Sequence, residues 1–109
     1  MSNISERFPR VEEKIGLALS AVEGDGSASP VLVAVVKEFA AKAGKARSAI
    51  DGDDRGAREA VIELEQAGDS AKAASEADPG VGDEARQAVL DAHLAICIMK
   101  SKLEAPAGG

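Results

Sequence analysis

The chain has 109 residues, 19 acidic against 13 basic side chains, a net charge of −6 and 45% hydrophobic residues. That length suits one domain around one core, and the negative field repels phosphate backbones and anionic lipid, which sets nucleic acid and membranes aside as partners. Cys97 is the single cysteine, so no internal disulfide forms and a reducing, cytoplasmic setting is expected.

Ala, Leu, Glu, Lys and Arg dominate the middle of the chain, while Phe8 and Phe39 are the only aromatics. This favours helix over strand throughout. The start, Met1 to Arg7, lacks the basic start and apolar run of a secretory signal. Pro9 suits a first helical turn, where its missing N–H has no partner. Phe8, Val11, Ile15, Ala18 and Val22 recur at heptad spacing, so the first helix is expected over 9–23. The small and polar residues from Gly24 to Ala28 form the first connection.

Ser29-Pro30 reads as a helix start, a capping hydroxyl followed by proline at the first helical position. The second helix is expected over 30–50, through the apolar run Val31 to Val36, with Lys42, Lys45 and Arg47 near its negative end. Asp51-Gly52-Asp53-Asp54 breaks it and caps a third helix over 54–77, where Ala57, Val61, Leu64, Gly68, Ala71 and Ser75 form a narrow stripe of small residues. Gly68-Asp69-Ser70 could interrupt that helix, but continuity is the expectation. Asp78-Pro79-Gly80-Val81-Gly82 ends it, Asp83 caps a fourth helix over 84–104, and residues 105–109 form a flexible tail. The fold expected is all-α, an antiparallel up-down four-helix bundle in a single domain.

Helices two and four carry more apolar surface than one heptad stripe needs, from Val31 to Val36 and from Leu90 to Ile98. Either they pack centrally with the other two at their flanks, or the excess is covered by a second copy or another protein. Val31, Val35, Leu90, Leu94 and Ile98 are the candidate interaction surface, and a homo-oligomer is expected.

Few residues carry chemistry. His93, the only histidine, stands in Asp91-Ala92-His93-Leu94 on a helix, the setting of the phosphoacceptor in histidine phosphotransfer domains, which are helical bundles. Those domains place a lysine three residues on and a small residue beyond, where this chain has Ile96 and Cys97. His93 is therefore the candidate phosphoacceptor only of a runner-up reading, a phosphorelay carrier; a structural subunit of a larger assembly is a further one. No Glu-x-x-His occurs, and one His and one Cys cannot build a zinc or haem site within one chain, so no metal or cofactor is expected. Asp51-Gly52-Asp53-Asp54-Arg55-Gly56 resembles the opening of an EF-hand loop. Arg55 stands where an oxygen donor belongs, and Ile62 where the closing glutamate belongs. The terminal Gly108-Gly109 is similar to the tail of ubiquitin-like carriers, which have a β-grasp sheet with no counterpart in this pattern. Cys97 and His93 are four apart and share a helix face, a spacing too common to signal catalysis. The expected function is a protein-interaction or regulatory module without a catalytic site.

Overall fold

A computed structural model describes residues 3–52 and 54–104 of the chain. Four helices follow one another: α1 (Asn3–Glu23), α2 (Pro30–Gly52), α3 (Asp54–Ala77) and α4 (Asp83–Glu104). They run up and down as an antiparallel four-helix bundle, with no strand among the described residues. Each is about 32–36 Å long at 1.5 Å per residue, so their apolar stripes match along their whole length. The tail 105–109, with Pro106 and the diglycine, lies outside the described residues, as do Asp53 and the side chains of Asp54, Arg55 and Leu103.

α1 starts six residues before Pro9, which sits inside the helix instead of at its first turn. Proline there removes one backbone bond to the carbonyl four residues back, and Pro9 itself is exposed. The early turns are held from outside: Phe8 is buried, and the Arg47 guanidinium lies 5.0 Å from its ring centroid. α2 likewise continues to Gly52, beyond the expected end at residue 50, with Arg47 pairing to Asp51 at 3.4 Å across its last turn. α3 is continuous through Gly68.

The Ser29 cap forms as the sequence implies. Its Oγ accepts the Leu32 amide at 3.1 Å and its carbonyl accepts that of Val33. At α4 the capping position is Gly82, whose carbonyl takes the Arg86 amide, and Asp83 is the first helical residue instead of the cap. Gly82 has no side chain to cap with, and its own amide is held from the other connection, by Asp25 Oδ2 at 2.7 Å.

The helices form a square ring. α1 packs on α2 and α4, α3 packs on α2 and α4, and α2 stands diagonally from α4. A central α2–α4 pair is therefore not the arrangement. The surplus apolar residues of these two helices point outward instead, with Val31 67%, Leu94 56% and Ile98 48% exposed. Short connections between antiparallel helices of equal length give each helix two neighbours, leaving no central position for a pair to fill.

Among the described side chains of α1, Phe8, Val11, Ile15, Ala18 and Val22 are buried, and those 53 positions later on α3, Val61, Leu64, Gly68, Ala71 and Ser75, are buried too. The same shift carries the buried residues of α2, Leu32, Val36, Phe39, Ala43 and Ala46, onto Ala85, Val89, Ala92, Ile96 and Met99 of α4. The α1–α2 and α3–α4 hairpins thus share one skeleton. Most outward positions correspond as well, so each hairpin serves as a control for the other.

Candidate functional site

Leu90, Leu94 and Ile98 follow one another at four-residue spacing and form a single stripe on α4. Leu94 and Ile98 are the most open, and Leu90 is half-buried. The corresponding residues of α2 are Lys37, Ala41 and Lys45, all exposed. Corresponding places with lysine at two of the three show that the bundle packs without apolar residues at the open positions. Leu17, 55% exposed, stands on α1, one of the two helices packed against α4. Val31 and Val35 belong to α2, on the opposite corner of the ring, so the five expected surface residues do not form one patch: three share a stripe and two lie apart.

Beside the stripe, on the side of α4 that meets α3, His93 Nε2 lies 2.7 Å from Asp69 Oδ1. Gly68, next to Asp69, leaves room chiefly for the Phe39 ring. A Cβ at this position would stand 3.1 Å from Phe39 Cζ and 3.5 Å from His93 Cδ2, so glycine here is a contact residue and not a helix break. The Cys97 thiol is 3.6 Å from His93 Nε2 and 3.9 Å from Nδ1. Carboxylate and thiol therefore both lie nearest the same ring nitrogen. A base that relays a proton presents one nitrogen to the nucleophile and the other to the orienting carboxylate, and this ring does not. Burial, then Glu65 and Asp69, push the Cys97 thiol above its ordinary pKa, the opposite of nucleophile activation. For phosphoryl acceptance, the ring nitrogen nearest a carboxylate would have to attack phosphorus, and the Asp69 carboxylate beside it repels an incoming phosphate.

The two connections on the same end of the bundle hold each other. Asp25 Oδ1 accepts the Ser27 amide at 2.8 Å and its Oδ2 that of Gly82; Asp78 Oδ1 accepts the Gly80 amide at 3.0 Å and its Oδ2 that of Ser29 at 2.8 Å. Each aspartate thus closes its own turn and reaches the residue that starts a helix in the other hairpin. These amides hold both carboxyls below the ordinary aspartate value of 3.8, chiefly Gly82 for Asp25 and Ser29 for Asp78. The loops meet closely enough that a Cβ on Gly80 would lie 2.8 Å from the Ser27 carbonyl oxygen. Arg86 adds bonds from Nε to the Ser75 carbonyl and from Nη2 to that of Asp78. Neither aspartate stood out in the sequence as more than a turn residue, because its second partner belongs to the other loop.

At the far end of the helices, Arg47 grips Glu12 with Nε at 3.1 Å from Oε2 and Nη2 on Oε1, and Lys100 pairs with Glu65 at 3.0 Å. Between hairpins, Glu63 receives Lys45 at 3.1 Å and Lys42 at 3.4 Å, which together lower its pKa. The turn that resembles an EF-hand opening falls at the helix junction, where α2 still includes Asp51 and Gly52 and α3 includes Gly56 and Ile62. Among the described residues no group of three His, Cys, Asp or Glu side chains could hold a metal, and no helix is long and apolar enough to cross a membrane. No family model, curated protein or solved structure matches the chain.

Proposed function

We propose that this bundle is a protein-interaction module whose docking surface is the α4 stripe of Leu90, Leu94 and Ile98. The observation that carries the reading is the contrast with Lys37, Ala41 and Lys45 at the matching positions of α2. A largely exposed apolar row that the fold does not require, where the matching row of the other hairpin has lysine at two of its three positions, marks a face kept for contact. The partner is a protein presenting an amphipathic helix, since residues at four-residue spacing match the anchors of helix-on-helix docking. A net charge of −6 favours basic flanks on that helix.

The test replaces the stripe with its own counterpart, Leu90→Lys, Leu94→Ala and Ile98→Lys in one chain. A partner captured by the wild-type protein from its native host, then purified and titrated directly, is expected to bind the triple variant at least about tenfold more weakly. The variant's helicity and melting temperature should match those of the wild type. Equal affinity for both proteins would sink the assignment of this face.

A further inference from the structure

We propose that the chain is a fused dimer of one helical hairpin, and that the face between its hairpins is a recognition surface that a second copy of the chain occupies by exchanging hairpins. The correspondence over 53 positions goes beyond burial. It carries Asp25 onto Asp78, Ser27 onto Gly80 and Ser29 onto Gly82, so the bond from the Ser29 amide to Asp78 is the image of that from the Gly82 amide to Asp25. It carries the Glu12–Arg47 pair onto Glu65–Lys100. A local turn, a bond to the other hairpin and an ion pair within each hairpin therefore each occur twice, related by one operation. Packing needs of a four-helix bundle explain matching core positions; they do not explain matching aspartates that reach across to matching amides.

The two copies have become complementary. Phe39 on α2 sits against Gly68 on α3, and the operation turns this pair into Ala92 on α4 and Ile15 on α1. Bulk and absence of bulk have changed sides. Farther along, Ala43 and Ala46 of α2 correspond to Ile96 and Met99 of α4, so the second hairpin carries the larger residues there. An α1–α2 hairpin pairing with its own kind would bring Ile15 toward Phe39, and an α3–α4 hairpin doing so would set Gly68 toward Ala92 and leave a void. Each hairpin is thus shaped for the other kind, and a second chain supplies both kinds.

The helix pairs that pack most extensively, α2 with α3 and α1 with α4, run between the hairpins and not within them. Every one of those contacts, including Lys42 and Lys45 on Glu63, forms equally well between two chains. What differs is the junction, where a single residue separates the end of α2 at Gly52 from the start of α3 at Asp54. Continuing the helix through it joins α2 and α3 into one rod and hands each hairpin to the other chain, a closed two-fold exchange.

The experiment uses the full chain with Cys97→Ser and a reporter pair, Asp25→Cys with Gly82→Cys, at positions the clamp brings together. Refolded dilute and oxidised, this protein should form the bond within one chain; refolded concentrated, it should form a dimer joined by bonds between chains. Adding Gly52→Ala and Asp53→Ala, which favour a continuous helix, should raise the dimer fraction at equal concentration by about tenfold. A dimer whose reporter bonds stay within chains, or a junction variant that is monomeric at every concentration, would overturn the exchange. Because the reporter removes one clamp carboxylate, a second measurement leaves the clamp intact. Gly68→Ile alone should lower the melting temperature, and Phe39→Ala with Gly68→Ile, which installs the pair found at Ala92 and Ile15, should recover most of that loss. A double variant no more stable than the less stable of its two single variants would overturn the internal two-fold.

Discussion

At positions 39 and 92 the two hairpins place a phenylalanine and an alanine, both fully buried, while at positions 36 and 89 both place a valine, again fully buried. The first pair differs by a whole phenyl ring and the second not at all, yet the helices carrying them occupy equivalent places. What is held constant between the hairpins is the direction a residue faces. The volume at any one position is free to vary provided the residue opposite varies with it, as Gly68 does for Phe39. The outer faces differ more freely still, since no other part of the bundle packs on them to enforce a match.

The largest effect should come where the hairpins differ most. Phe39→Ala removes a buried ring from between α2 and α3 and is expected to cost about 3–5 kcal/mol, a large share of the roughly 5–15 kcal/mol that holds a domain of this size. Urea denaturation followed by circular dichroism measures it. A cost below about 1 kcal/mol would mean that α3 closes over the space left beside Gly68, and the complementarity of the hairpins would lose its main support.

Where the hairpins agree, the costs should agree. Val36→Ala and Val89→Ala each remove two buried methyl groups, about 0.8 kcal/mol apiece before any cavity penalty, so about 2 kcal/mol is expected at both sites. The comparison sharpens if the two values fall within about 0.5 kcal/mol of each other, and breaks if one is more than twice the other.

The clamp aspartates should be unequal in a predictable sense. Asp78 is buried and Asp25 only half-buried, and each uses both oxygens to accept backbone amides. Asparagine offers one acceptor and turns a donor toward the second amide, so Asp78→Asn should lower the melting temperature by several degrees and Asp25→Asn by less. The pH dependence follows from the lowered pKa of both groups. The stability they supply is whole above about pH 5 and is lost as pH falls through their depressed folded values. Melting curves from pH 6 down to pH 2 should therefore show a shallower acid decline for the double asparagine variant than for the wild type. Parallel declines would mean that other carboxylates govern the acid limb.

Periodicity made the helices legible from the sequence, because each buried stripe repeats every three or four residues and needs no knowledge of what lies opposite. The Ser29 cap was legible for the same reason, its partners being three and four residues away. The features that escaped have partners far along the chain. Asp78 reaches Ser29 across 49 positions and Asp25 reaches Gly82 across 57, so each reads locally as an ordinary turn residue. Pro9 misled because burial of Phe8 and the grip of Arg47, neither local, extend α1 past the point where proline usually begins a helix. The internal repeat is nearly silent in residue identity, surviving at pairs such as Glu12 with Glu65, Asp25 with Asp78 and Val36 with Val89. Selection on burial keeps a position apolar without keeping its side chain, as Ile15 and Gly68 show.

The smallest effect concerns the two ion pairs that close the hairpins. Arg47 meets Glu12 with two nitrogens, stacks over Phe8 and also reaches Asp51, which raises its pKa, first through Glu12; Lys100 meets Glu65 as a point charge on a flexible stem. Arg47→Lys should lower the melting temperature slightly, since lysine keeps the charge but loses the fork and the stacking plane. Lys100→Glu removes an attraction and adds a repulsion beside Glu65, so its effect should shrink in high salt. The arginine substitution should be nearly insensitive to salt, because what it removes is geometry and not charge. Equal salt sensitivity of the two variants would show that Arg47 acts as a charge alone, and that the hairpins are closed in the same way at both positions.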